Sequence, residues 1–222
     1  ADRCLRIRSE DARQTACISG ARRIEGWRKP ATSEVPASLP EDACPHLRVA
    51  DLPGLHEGDV WRFRTLFDDH GLLPRAAEPA FQPTWAPSSE ALVLHEHMDL
   101  EILHFPKNAM RMWENLEDIE VGVFPMVWYV MNLLSVAAVD EAEHIAHTAV
   151  PATFPMVKHE FAADPSRKPA WIENTVAGIR KPGNWALDTK QRKLYLWPRN
   201  DEEPGALYAP AVSELLRFEG DE

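Results

Sequence analysis

Glycine and cysteine are scarce in this chain of 222 residues, which holds ten Gly and three Cys. No Gly-rich phosphate loop occurs, so nucleotide-dependent chemistry is not expected. A Gly-x-Ser-x-Gly elbow is absent, and no Cys/His nucleophile pair stands in a recognisable context. Cys4, Cys17 and Cys44 show no metal-ligand spacing, and an odd count cannot close a full disulfide set. They read as small buried hydrophobes. There is also no Lys/Arg cluster interleaved with aromatics. With 24 Lys and Arg against 35 Asp and Glu, the net charge is −11. A field of that sign repels phosphate, which excludes nucleic acid as an expected partner. The chain starts at Ala1 with no start Met and no basic-then-apolar leader, as expected of a processed, trimmed or partial polypeptide.

Long apolar runs are nearly absent too. From Val121 to Val139 no residue is charged, which approaches the length of a membrane-spanning helix. Yet the run contains Gly122, Pro125, Asn132 and Ser135, and Glu120 and Asp140 flank it. It splits at Pro125. Before the Pro, Ile119, Val121 and Val123 alternate with Asp118 and Glu120, the pattern of a half-buried strand. After it, Val127–Leu134 reads as a strand apolar on both faces. No membrane partner is expected.

What the chain does have is proline: 19 residues, with no Pro-free stretch longer than that before Pro30. Pro removes a donor and clashes with the preceding helical turn, which argues against a helical bundle. At 45% hydrophobic and 27% charged residues the chain can still bury a core. Short strands are expected in the first twenty residues, at Trp61–Phe67, Leu100–Phe105, Met110–Trp113 and Trp171–Ile179. Residues 28–58 read as a long ordered loop or a linker-like excursion, and a second Pro-rich stretch runs from Pro74 to Pro87. Asp140–Ala149 has helical composition that neighbouring strands can override. A hairpin is expected with arms Trp185–Asp188 and Lys193–Trp197 around the turn Thr189–Arg192. Leu207–Gly220 fits either a strand or a short helix. Short strands between Pro and Gly turns define an all-β sandwich.

The segments Trp171-Ile172-Glu173-Asn174-Thr175-Val176, Lys181-Pro182-Gly183-Asn184-Trp185-Ala186-Leu187-Asp188 and Lys193-Leu194-Tyr195-Leu196-Trp197-Pro198 form a pattern. It resembles one in right-handed parallel β-helix proteins related to glycoside hydrolase family 141. There an "EN" pair leads to "PGEWYLD", a short turn, "LYYWP", and a segment matched here by Pro210, Leu215, Leu216 and Gly220. Upstream, Ile18–Trp27 resembles "SGGRRITGW". Phe63–Phe67 with Pro74-Arg75-Ala76 resembles "RQLFVNG…RAR.P", and Asp118–Val121, Trp128 and Val139-Asp140-Glu141 resemble "DVEVVVFHSW…VDEE". Asn184 replaces the usual Glu, and residues 28–58 match poorly. The family-motif residues are thus Trp27, Glu173, Asn174, Pro182, Gly183, Trp185, Asp188, Leu194, Tyr195 and Pro198, with mainly structural roles.

The resemblance implies a β-sandwich inserted between short segments of a right-handed parallel β-helix. Residues 1–21 would be the remnant of the first coils, 22–205 the inserted sandwich, and 206–222 the truncated return to the β-helix. It also implies an N-terminal, largely structural part of a longer secreted or periplasmic protein. The parent would be a fucosidase- or xylanase-like glycoside hydrolase acting on plant or algal polysaccharide or oligosaccharide, with no cofactor. A carbohydrate-binding module and a purely structural module are the alternatives.

Glycoside hydrolysis needs two carboxyl groups, roughly 5–5.5 Å apart for retention or about 6.5–9.5 Å for inversion. Asp118, Glu120, Glu173 and Asp188 are the carboxylates considered, and each has a structural reading. Asp188 opens a turn, Glu120 lies on a strand's polar face, and Glu173 beside Asn174 could tie the sandwich to the β-helix. Glu173 is the site candidate of the four, while the family's catalytic acids project from later coils outside this chain. His95, His97, Asp99 and Glu101 would line one side of a strand, as a solvated face rather than a metal site. His144 and His147 share a face only if their segment is helical. Trp61, Trp128 and Trp185 are expected in the core, whereas Trp27, Trp85, Trp113 and Trp197 are less constrained and are the candidates for exposed sugar platforms.

Overall fold

The computed structural model describes residues 13, 17–55, 59–86, 99–158, 164, 166–200 and 203–217. Their regular structure is all β apart from short 3-10 turns. It is organised in three open antiparallel sheets.

The centre is the expected hairpin. β10 (Trp185–Asp188) pairs with β11 (Lys193–Leu196), and β11 pairs on its other side with β2 (Arg48–Asp51). Side chains alternate across a strand, so the register stacks two sets of residues on opposite faces. Trp185, Leu187, Leu194, Leu196 and Ala50 enter one apolar cluster. Ala186, Tyr195 and Val49 enter another, with Leu39, Ala43, Ala76, Val176 and Ile179. A sheet covered on both sides carries apolar residues on both faces, and the middle of this one does, with the charged Arg48, Asp51, Asp188 and Lys193 at the strand ends.

Strand β2 corrects the reading of residues 28–58 as a loop. Two 3-10 turns, Thr32–Glu34 and Glu41–His46, lead into it. Arg28 and Val49 exchange backbone hydrogen bonds of 3.0 and 2.8 Å. A ring of four charges holds the excursion to the hairpin. Arg28 binds Glu34 (2.6 Å) and Asp51 (3.1 Å), and Lys193 Nζ binds the same two carboxylates at 2.6 and 2.9 Å.

The second sheet has the order β1-β12-β3-β4. β1 (Ala21–Ile24) and β12 (Leu207–Pro210) are matched from Ala21↔Pro210 to Ile24↔Leu207. β3 (Phe67–Asp68) and β4 (Gly71–Leu72) complete it. Residues 61–66 precede β3 outside any ladder. Trp61 and Phe63 are buried while Arg62 and Arg64 face out, and Leu66 then turns inward in place of Phe67. The tail beyond Pro210 has no regular element as far as residue 217.

The third sheet has the order β5-β8-β7-β6-β9, built from β5 (Ile102–His104), β6 (Glu120–Val123), β7 (Asn132–Asp140), β8 (Ile145–Thr148) and β9 (Ala170–Glu173). The Pro-rich stretch runs along the outer side of β9, bridging Ala77 to Glu173 and Phe81 to Ala170. Leu103, Ala146, Leu134, Val136, Val121, Val123, Ala170 and Ile172 form its core.

Asp140–Ala149 is a turn and a strand, its pairing with β5 and β7 overriding the helical composition as its short length allows. Three sequence expectations are overturned here. Met110–Trp113 is irregular, with Met110 and Trp113 buried in the core. Val127–Met131 is the β6–β7 turn, so Trp128 and Tyr129 stand 66% and 74% exposed. Cys17 and Cys44 are exposed and free, and Cys4 lies outside the described residues. Among the described residues no helix is long and apolar enough to cross a membrane.

Candidate functional site

The face of the third sheet opposite its core carries a cluster of charged side chains. The β6–β9 register sets Glu120 across from Glu173 and Gly122 across from Trp171, and β7 brings Ser135 beside Glu120. A Cβ at position 122 would overlap the Trp171 indole, so glycine lets the ring lie against the strand. Trp171 Nε1 donates to Glu173 Oε1 at 2.7 Å, which fixes the ring and engages the carboxylate.

Two arginines reach this face. Arg64 Nε and Nη2 donate to Glu120 Oε1 at 2.8 and 2.6 Å. Arg75 Nη1 donates to Glu120 Oε2 and stands 3.5 Å from Glu173 Oε2, bridging the two carboxylates. Arg75 is held by its neighbours, because Ala76 N donates to Trp185 O at 2.8 Å and the guanidinium lies 5.8 Å from the Trp185 ring centroid. Burial alone would raise the Glu120 pKa. The bonds from Arg64 and Arg75 outweigh it and hold the carboxyl below its ordinary value.

Asn174, fully buried, adopts left-handed φ of 68°. Its Oδ1 accepts from Leu187 N (2.8 Å) and Arg75 Nε (3.4 Å), and its Nδ2 donates to Leu187 O (2.8 Å) and Asp118 O (3.0 Å). One side chain thus joins β10, the start of β6 and Arg75. Asn115 Nδ2 adds donors to Asn174 O and Leu187 O at 2.8 and 3.0 Å.

Beside these residues is an open cleft of about 420 Å³, lined among others by Arg62, Arg64, Arg75, Asp118, Glu120 and Ser135. Burial pushes the Asp118 carboxyl above its ordinary range, so the cleft holds one raised and one lowered carboxyl. Such a split is what acid–base chemistry uses. Both groups are nevertheless engaged. Asp118 accepts from Thr189 N (2.6 Å), Thr189 Oγ1 (2.7 Å) and Arg62 Nη1 (2.8 Å), and little of it reaches solvent. The cleft therefore offers the outer edges of Arg62 and Arg64, both more than half exposed, as donors.

The remaining motif residues are structural in placement. Asp188 is buried and caps the hairpin turn, accepting from Gln191 N (2.8 Å) and Gln191 Nε2 (2.9 Å); burial raises its pKa. Gly183 takes φ of 87°, and its N donates to Trp197 O at 2.7 Å. Leu194, Tyr195 and Trp185 are core, Pro198 is buried and Pro182 is exposed. Trp27 is half-buried and donates to Ile24 O at 3.2 Å. Trp85 is half-buried, and Trp197 stacks on His46 with ring centroids 4.4 Å apart.

Of the four-residue His/Asp/Glu run, His95 and His97 lie outside the described residues, and Asp99 accepts from Glu101 N at 2.9 Å. His144 sits in a turn at φ 56° and His147 in β8, so they share no helix face. Among the described residues no group of three His, Cys, Asp or Glu is placed to hold a metal. The arginines of the site were missed as site residues, as was Trp171. Gly122 inside a strand was the available sign of a close approach.

The fold is similar to that of a solved structure described as "Glycoside hydrolase". The similarity extends over 89% of this chain, with a TM-score of 0.59 and 21% sequence identity. The chain spans about a third (32%) of that protein's length. No protein-family model and no curated protein matches the chain.

Proposed function

We propose that this chain is the N-terminal, largely architectural part of a carbohydrate-active β-helix protein. The parent is a secreted or periplasmic glycoside hydrolase, fucosidase- or xylanase-like, acting on plant or algal polysaccharide. The observation that carries this reading is the likeness of 89% of the chain to one third of a glycoside hydrolase. Residues 22–205 are then an inserted sandwich, with 1–21 and 206–222 belonging to the β-helix. The pairing of β1 with β12 supports insertion, since an inserted domain needs its entry and exit side by side.

The carboxylates favour architecture over catalysis. Glu173 is bonded by Trp171 and faces Arg75, and Glu120 is saturated by two arginines, so neither is a free acid or base. The arginine-lined cleft is one wall of the substrate groove. The test runs the full-length protein and the isolated chain in parallel on aryl fucosides and xylosides. Hydrolysis by the full-length protein alone is expected, and turnover by these 222 residues overturns the reading.

A second reading, a sugar-binding module without catalysis, draws on Trp128 and Tyr129. They form an exposed edge-to-face pair, 5.7 Å between centroids, at the β6–β7 turn. Glycan-array binding by the chain, abolished by Trp128→Ala, with an inactive full-length protein, favours that reading.

A further inference from the structure

Where the β7–β8 turn meets the segment following β5, a separate cleft of about 460 Å³ opens. The two are joined by Phe105 N donating to His144 O (3.0 Å) and Met112 N donating to Glu141 Oε1 (2.9 Å). The carboxylates on its wall are engaged. Glu141 takes the Met112 amide, and Glu78 accepts from Thr175 Oγ1 (3.0 Å) and Arg180 Nη2 (2.6 Å).

The donors on the wall are a different matter. Lys107 and Arg111 are exposed and have no hydrogen bond or ion pair among the described residues. Trp113 lines the same cleft at 5% exposure, and its indole Nε1 is buried with no acceptor among the described residues. A buried donor left unpaired costs about 1–3 kcal/mol, a cost an incoming acceptor removes. Lys107, Arg111 and Trp113 thus line one cleft, whose two carboxylates already accept from other groups. The volume falls within the range of small-molecule sites, about 300–1,000 Å³.

We propose that this cleft binds an anionic sugar residue. Lys107 and Arg111 hold its carboxylate or sulfate group, and Trp113 Nε1 donates to a sugar oxygen. That the ligand is a sugar rests on the function proposed above; that it is an anion rests on the unpaired donors. Because the chain as a whole carries −11, long polyanions are repelled and short anionic oligosaccharides bind best, with affinity falling as salt rises.

Calorimetry on the whole chain tests this with four probes: trigalacturonate for carboxylate, a sulfated carrageenan oligosaccharide for sulfate, neutral xylotriose, and inorganic sulfate. Binding of at least one anionic oligosaccharide is expected. The double variant Lys107→Gln/Arg111→Gln should weaken it about tenfold or more. Trp113→Phe keeps a packed ring, removes only the donor, and should also weaken binding while the melting temperature monitors the fold. Failure of both anionic oligosaccharides to bind, or binding indifferent to the double variant, overturns the proposal. So does binding of inorganic sulfate alone. Xylotriose binding lost on Trp128→Ala, with no anionic binding, sinks this cleft's role and leaves the carbohydrate function standing.

Discussion

The side-chain amide of Asn174 pairs with the backbone of Leu187 as a neighbouring strand would. It accepts from Leu187 N and donates to Leu187 O, both at 2.8 Å. The first residue beyond β9 therefore substitutes for a ladder between two sheets that share no strand. Its left-handed backbone, which Asn tolerates better than most residues, aims the amide across the gap.

Asn174→Asp tests this junction. The variant keeps size and backbone preference but replaces the donor with a carboxylate oxygen facing Leu187 O and Asp118 O. Asp118 O loses its donor while Leu187 O keeps only Asn115 Nδ2, and an unpaired buried carbonyl costs about 1–3 kcal/mol. A urea midpoint lowered with unchanged slope is expected. A drop smaller than about 1 kcal/mol refutes the junction role.

Gly122→Ala should displace the Trp171 indole. Overpacking of this kind costs about 1–3 kcal/mol, and it changes the near-ultraviolet dichroism of the ring. In a Trp171→Ala background the same substitution becomes nearly neutral, because the clash is gone. A cost that persists in that background means the close approach is not its cause.

Glu120→Gln removes one of the two carboxylates that Arg75, a side chain only 10% exposed, bridges, and leaves Glu173 at 3.5 Å. The loss therefore falls below the roughly 3–5 kcal/mol of a fully orphaned buried charge. Arg64→Ala removes a side chain that is 64% exposed, and should cost about 0.2–1 kcal/mol. The pH dependence separates the terms. The folded-state pKa of Glu120 lies below its unfolded value of about 4.3, so its contribution is complete above that value and disappears as pH falls through the lower one. Asp118 and Asp188 are raised, so their effect has the opposite sign: stability declines as pH rises from about 3.9 through their folded values. Thermal melts should show the gap between wild type and Glu120→Gln widest near neutrality and narrowing in acid. A gap unchanged down to about pH 2 contradicts the assignment.

Trp128→Ala and Tyr129→Ala should leave stability within about 0.5 kcal/mol, since both side chains stand in solvent at a turn. A larger loss in thermal melts would show that the pair is packed rather than presented.

The hairpin was legible because its alternation, its Pro182-Gly183 opening and its turn Asp188 all point one way. β2 was hidden because three consecutive buried residues, Arg48 to Ala50, followed by an exposed Asp51 and lying between Pro45 and Pro53, give no periodicity to read. The apolar run after Pro125 misled for the converse reason: composition does not distinguish a buried strand from an exposed aromatic turn. Glu173 and Asn174 stood out by their motif. Their partners did not, because the pairing of Glu120 with Glu173 is a register between strands fifty residues apart in sequence. Arg64 and Arg75 reach the site from segments that form almost no ladder.

Because Ala21 pairs with Pro210 and Ala211 N donates to Gly20 O at 2.8 Å, the chain enters and leaves at the same end of one ladder. Tension applied at Gly20 and Ala211 therefore loads that ladder as a zipper. It opens bond by bond toward Ile24 and Leu207 while the hairpin and the Asn174 junction carry no force. Pulled from both ends, the fold yields first at its own seam.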